Sequence, residues 1–205
     1  MSIVGGIDVS RETIERLEAF AALVAQWTKR INLVSVNSVD QIWQRHIEDS
    51  AQIFQYAGSN CSRWVDLGSG GGFPGIVLAI LARELNPTVA FILVESDLRK
   101  ATFLRTAART LDLNVSVESQ RIEALAPLNG DVVSARALAS LSALLPMVNL
   151  HLAENGTAIL PKGRKFADEI AQARESWDFD LEEYQSITED DARVLVLKRI
   201  NEREV

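Results

Sequence analysis

A chain of 205 residues, 47% hydrophobic and 24% charged, has the make-up of one globular unit with a well-buried core and a small appendage, which excludes a disordered or fibrous protein. One cysteine, Cys61, and two histidines, His46 and His151, argue against a disulfide framework and against a metal site, and the absence of disulfides fits a reducing cytoplasm. The net charge of −7 argues mildly against a nucleic-acid partner in the far field but leaves room for a local basic face, while the opening residues lack a signal segment and no apolar run approaches the roughly 20 residues that span a bilayer.

Along the chain, Ser10 caps a first helix whose apolar face is Ile14, Leu17, Ala21, Val24 and Trp27. A second helix starts near Ser38, which forms a capping box with Gln41, and carries Ile42, Trp43, Ile47 and Phe54 before the turn residues 56–60. Residues 64–67 then read as a short strand entering a glycine-rich turn, followed by a helix over 75–85 and a continuous apolar strand over 89–95. A strongly patterned helix follows over 97–111, then strands over 115–118 and 131–134, and a helix over 138–152. Asn155-Gly156 predicts a turn before a strand over 157–161, and a helix follows over 166–177. Strands over 181–187 and 193–199 close the chain as an antiparallel hairpin. Strands alternating with helices predict an α/β, doubly wound, mostly parallel seven-stranded sheet with an antiparallel edge hairpin. The reading divides the chain into an N-terminal helical extension (1–60) packed on the core domain (61–205), since two or three helices alone bury little core.

The densest local signal is Asp66-Leu67-Gly68-Ser69-Gly70-Gly71-Gly72-Phe73-Pro74-Gly75, between a strand and a helix. In an open α/β sheet, ligands bind there, outside the carboxyl ends of the strands. A dinucleotide fingerprint places a third glycine where this chain has Phe73. Asp66, expected at the pocket mouth, would repel pyrophosphate and suit the ammonium end of a methionine. Glu95, at the end of the next strand, suits the two hydroxyls of a ribose, although nicotinamide dinucleotides also use an acid there. The loop therefore favours S-adenosyl-L-methionine over a dinucleotide.

These residues and others resemble the small-subunit ribosomal RNA guanine-N7 methyltransferases, the glucose-inhibited division protein B family. The resemblance spans most of the chain: Asn32-Leu33, Arg45-His46, Asp49-Ser50, the loop from Asp66 to Gly75, Leu93-Val94-Glu95-Ser96, Lys100-Ala101, Phe103-Leu104, Arg121-Ile122-Glu123, Ser134-Ala135-Arg136-Ala137 and Pro161-Lys162-Gly163. It implies a class I, Rossmann-like methyltransferase that transfers a methyl group from S-adenosyl-L-methionine to N7 of one guanine in the 16S rRNA of the small ribosomal subunit. It also implies cofactor contacts from Gly68, Gly70 and Phe73, with Ile122 and Glu123 framing the adenine and Arg136 at the cofactor or target pocket. The segments before Arg136 and before Lys162 depart from the commonest family pattern without removing a charge.

Guanine N7 has a lone pair and no proton, so its methylation needs alignment and no general base. The sequence agrees: it has no Asn/Asp-Pro-Pro-aromatic motif, and Cys61 sits at the wrong end of its strand for a nucleophile. Arg136 and Lys162, each at a strand end, are expected to position the target, Arg136 through guanine O6 or a phosphate. Arg45 and His46, with Asp49 placed to orient the histidine, and Arg164 and Lys165 complete the expected RNA contacts. Lys29, Arg30, Arg99, Lys100, Arg105 and Arg109 extend them into a basic crescent. The protein is expected to act as a monomer, without metal or membrane. A small-molecule methyltransferase, a non-catalytic binding module and an NAD-dependent oxidoreductase remain as competing readings; Phe73 disfavours the last, and the intact loop acids and glycines disfavour the binding module.

Overall fold

A computed structural model describes residues 2–35 and 41–203. Ser38 of the expected capping box lies outside the described residues.

The chain opens with a hairpin for which the sequence carries no periodic signal. Strands β1 (Ser2–Val4) and β2 (Ile7–Val9) pair antiparallel around Gly5-Gly6 and bury Val4 and Val9. Three-residue strands alternate too briefly to register as a period. Helix α1 (Arg11–Thr28) is capped by Ser10, whose hydroxyl accepts from the Thr13 amide, and it fully buries Leu17, Phe20 and Val24. The expected second helix is instead a composite. A π-helical turn (Trp43–Glu48) leads into α2 (Asp49–Ala51) and a 3₁₀ turn (Gln52–Tyr56). Glu48, at the end of the π-helical turn, accepts from the Trp43 indole at 3.1 Å and from the Gly5 amide at the hairpin tip.

The remaining elements are β3 (Arg63–Leu67), α3 (Gly75–Leu85), β4 (Ala90–Val94), α4 (Leu98–Thr110), β5 (Val115–Glu118), β6 (Gly130–Ala135), α5 (Leu141–His151), β7 (Leu152–Lys162), α6 (Phe166–Ala173), β8 (Trp177–Gln185) and β9 (Arg193–Glu202). Two boundaries differ from expectation. Helix α5 runs directly into β7, and Asn155-Gly156 is absorbed as an irregularity where the pairing with β6 jumps from Gly130↔Leu152 to Val132↔Thr157. Trp177 begins β8 rather than ending a helix, and its ring is buried.

The seven strands lie in the order β5-β4-β3-β6-β7-β9-β8; the first five are parallel and the last two antiparallel. Alternate residues of β3 feed opposite layers. Trp64 joins the core under α1, α3 and α4 with Phe20, Phe91 and Phe103, whereas Val65 and Leu67 join the core under α5 with Leu144 and Val148. The strand order reverses at β3, which has β4 on one side and β6 on the other, so a crevice opens at the carboxyl ends of β3 and β6. Among the described residues, no helix is long and apolar enough to cross a membrane.

Candidate functional site

The crevice floor is made by backbone. The Gly68 and Ser69 amides both donate to the Val94 carbonyl at 2.9 and 3.0 Å, which draws the loop over the end of β4. Two glycines are required by geometry. Gly68 has φ +68° and a Cβ there would lie 2.7 Å from the Leu138 side chain; Gly72 has φ +87° and a Cβ would meet Ile76 and Phe20 at 2.8 and 2.9 Å.

Asp66 does not stand at the pocket mouth. It is fully buried beneath the loop, and both carboxyl oxygens are engaged. Oδ2 accepts from the Gly75 amide at 3.2 Å and Oδ1 from the Ser134 hydroxyl at 2.7 Å, and Ser134 in turn accepts from the Trp64 indole at 2.9 Å. Burial pushes the Asp66 carboxyl up to about 6, against the lowering effect of its donors. The physical reason for the correction is strand alternation: position 66 points into the helix layer that holds Trp64, toward the first turn of α3. This carboxylate therefore shapes the loop, and a ligand ammonium would need another partner.

Glu95 does face the crevice. Its two oxygens accept from the amides of Gly70 and Asp97 at 2.9 and 2.8 Å, which fixes the carboxylate and leaves lone pairs for further donors. A cavity of about 560 Å³ brings together Gly68, Gly70, Phe73, Glu95, Ile122, Glu123, His46 and Arg136. It also takes in Leu33, Lys100, Arg121, Leu138 and Met147. Ile122 stands on a 3₁₀ turn (Ile122–Ala124) whose carbonyl accepts from the buried His151 at 3.0 Å. The size, with apolar side chains standing beside charged and polar ones, suits a nucleoside-sized ligand.

Arg136 is the hub of the opposite rim. Its guanidinium donates to Asp49 Oδ2 at 2.8 Å and to the Arg45 carbonyl at 3.3 Å, lies 2.9 Å from His46 Nδ1, and sits 5.6 Å from the Phe73 ring centroid. The His46 ring lies 5.0 Å from Phe73. Burial, and then the Arg136 charge, lower the His46 pKa to about 4, so the ring is neutral at pH 7. Nδ1 thus accepts from Arg136, and Nε2 carries the proton. Asp49 orients Arg136 directly and His46 only through it.

A second cavity, of about 460 Å³, shares Arg136 and holds Arg45, Asp49 and Lys162. The Lys162 ammonium is already spoken for, donating to Glu169 and to the Ala139 carbonyl, both at 2.8 Å. Glu169 also accepts from the Leu141 amide at 2.8 Å, so this pair ties α6 to the first residue of α5, beyond the segment that carries Arg136. Arg164 and Lys165 are exposed just beyond β7 and line neither cavity. Within the expected crescent, Arg99 pairs with Asp97, and Arg105 is pinned to the Val117 carbonyl and Ser119. Sequence reasoning did not foresee Leu138 over Gly68 or Ser134 beneath Asp66. Neither position carries a local signal of its role, because each acts across strands.

This strand order, with a glycine loop after the first core strand and an antiparallel edge pair, defines a class I methyltransferase fold. The chain matches a TehB-like SAM-dependent methyltransferase from Corynebacterium glutamicum with a TM-score of 0.58 at 13% identity, over 88% of this chain and 98% of that one. It matches M. jannaschii TYW2, solved in complex with AdoMet, with a TM-score of 0.58 at 15% identity, over 79% and 78%. The GidB family model, rRNA small subunit methyltransferase G, matches residues 13–196. The chain is 51% identical to ribosomal RNA small subunit methyltransferase G of Cereibacter sphaeroides, over 97% of both chains. It is 50% identical to that of Ruegeria sp., over 95% of this chain and 94% of the relative. The chain belongs to the rRNA small subunit methyltransferase G family.

Proposed function

We propose that the protein methylates N7 of a guanine in the 16S rRNA of the small ribosomal subunit, using S-adenosyl-L-methionine, in the cytoplasm, as a monomer and without a metal ion. Residues 61–205 form the methyltransferase domain, and residues 1–60 form an extension packed on it as one structural unit. The observation that carries the reading is the juxtaposition of a backbone-floored nucleoside cavity with the Arg136–His46–Phe73 cluster on its rim. Family membership adds the substrate class, and fold neighbours solved with AdoMet add the cofactor class.

The residues present fit that cofactor. Glu95 keeps free lone pairs for ribose hydroxyls, the Gly68–Gly70 backbone leaves room at the loop, and Ile122 with Glu123 stands where the adenine would lie. When bound, S-adenosyl-L-methionine supplies a methyl group on a positively charged sulfur. Guanine N7 offers a lone pair and carries no proton, so the chain would need no general base at the target. Residues of the chain then have only to orient the base and exclude water, which can contribute about 7–11 kcal/mol through alignment alone. Arg136 orients the target. Lys162 acts from beneath by holding the 136–141 segment, while Arg45, Arg164 and Lys165 remain available for phosphates. His46, neutral and against Phe73, lines the path to the cofactor cavity.

Purified small subunits and deproteinised RNA, each incubated with labelled cofactor and mapped for the modified base, test this directly. Label at guanine N7 of the RNA is expected; robust methylation of a metabolite with a bare trace on RNA would overturn it. Binding should also weaken steeply with salt, in proportion to the phosphates engaged.

A further inference from the structure

The second cavity is lined by neither the glycine loop nor Glu95, yet it shares Arg136 with the first and places a carboxylate beside it. We propose that Asp49 selects guanine at the target position by accepting from the N1–H and N2–H donors of the base while Arg136 donates to O6. This rests on the guanine-N7 reading and adds to it the residue that distinguishes guanine from other bases.

Atom order along the purine edge makes the case. N7, O6, N1 and N2 follow one another around guanine. Arg136 lines both cavities, with Glu95 and the glycine loop only in the first and the Asp49 carboxylate, 2.8 Å from the guanidinium, only in the second. A base with N7 toward the cofactor and O6 on Arg136 therefore turns its Watson–Crick donors toward Asp49. Adenine fails on both counts: its N6 amino group would face guanidinium donors, and its N1 lone pair would face a carboxylate.

Hydrogen-bond capacity agrees. Arg136 uses both Nη1 protons on Asp49 and the Arg45 carbonyl and one Nη2 proton on His46, so Nε–H and one Nη2–H have no partner among the described residues. Among the described residues, Asp49 Oδ2 accepts only from Arg136 and keeps a lone pair. Oδ1 accepts from Gln52 at 2.9 Å and from Thr188 at 3.0 Å. The Thr188 hydroxyl has Ser186 Oγ within 3.1 Å as an alternative partner, so it can release Oδ1 to the base. The Asp49 side chain is about one-fifth exposed, at 21%, and lines the cavity wall.

Inosine tests the idea, because it keeps N7, O6 and N1–H and lacks only the 2-amino group. Small subunits reconstituted with guanosine or inosine at the target position are compared for methylation rate and, without cofactor, for equilibrium binding. The intact protein should prefer guanosine by ~10-fold or more, the scale of one hydrogen bond to a charged acceptor. D49N should slow guanosine methylation by ~100-fold and shrink the preference to within ~3-fold, with cofactor affinity unchanged by calorimetry. D49E, which keeps the carboxylate, should retain the preference at a reduced rate and serves if D49N does not fold. Equal use of both bases by the intact protein overturns the proposal, as does D49N that is slow but still prefers guanosine, the behaviour of a mere anchor for Arg136 or of a phosphate-binding cavity. Failure of the intact protein to methylate guanine N7 at all would instead sink the functional reading on which this one rests.

Discussion

The two cavities on either side of Arg136 are made of different materials. The first is floored by backbone from one continuous stretch, 66–75, and held by bonds to the neighbouring strand end. The second is walled by side chains from four distant segments: 41–52, 136–139, 161–169 and 186–194. A backbone floor tolerates little change because its shape is set by φ angles and close approach. A side-chain wall can be edited one group at a time, which is where discrimination between targets belongs.

Gly68→Asp should break the first cavity most severely. The residue must adopt φ +68° while its Cβ meets Leu138. Cofactor affinity measured by calorimetry should fall by ~100-fold or more, with circular dichroism unchanged. Undiminished affinity would mean that the floor is less rigid than described. Asp66→Ala comes next, stranding the Ser134 hydroxyl and the Gly75 amide in the core. Urea unfolding should show a loss of about 2–4 kcal/mol, and a loss near zero would remove the carboxylate from the account of the loop. Glu48→Ala sharpens the contrast between the two halves. It frees the Trp43 indole and the hairpin tip from the turn carrying His46, so stability should drop by about 1–2 kcal/mol. RNA methylation should suffer while cofactor affinity stays within ~2-fold.

A finer test uses pH. The folded-state pKa of His46, about 4, is below its ordinary 6.5, so the unfolded chain binds more protons between those values, and the His46 contribution to stability rises with pH across that window. Asp66 has the opposite sign: its folded-state pKa, about 6, lies above the ordinary 3.8, so its contribution is present at low pH and is lost as pH rises toward 6 and beyond. The two slopes oppose one another between pH 4 and 6. His46→Gln removes one of them, so the variant should gain stability relative to the parent as pH falls from 6.5 to 4. Parallel pH curves for the two proteins would place His46 in a more solvated setting. The smallest effect is expected at Arg105, whose exposed guanidinium is satisfied within its own neighbourhood. Arg105→Ala should shift stability by no more than ~0.5 kcal/mol and leave methylation unchanged, and a marked loss of RNA binding would return it to the basic crescent.

This division also governs what could be read from the chain alone. Helix α3 falls at its expected limits, because a glycine turn, an apolar pattern and the Asn86-Pro87 stop all agree there, and strand β5 also matches its expected range. That Gly68, Gly70, Phe73 and Glu95 would meet at one crevice was legible for the same reason: their placement follows from the local strand-turn-helix pattern. The role of Asp66 was not, since only the side of β3 on which it falls decides between mouth and floor. The π-helical turn has no local signal, and the Glu48 carboxylate at its end is engaged by Gly5, 43 residues away. Arg136 and Asp49 were each noticed, yet their pairing joins positions 87 apart.

One consequence of the Trp64–Ser134–Asp66 chain concerns direction. An indole nitrogen can only give a hydrogen, so the Ser134 oxygen must receive from Trp64 and pass its own hydrogen onward to Asp66. The row is one-way, beginning in the aromatic layer and ending under the glycine turn, with the Gly75 amide arriving from the far side. Any group placed at position 66 inherits the task of receiving from both neighbours at once. An amide, the nearest neutral replacement for the carboxyl, can receive through its oxygen only and would turn its nitrogen against a donor.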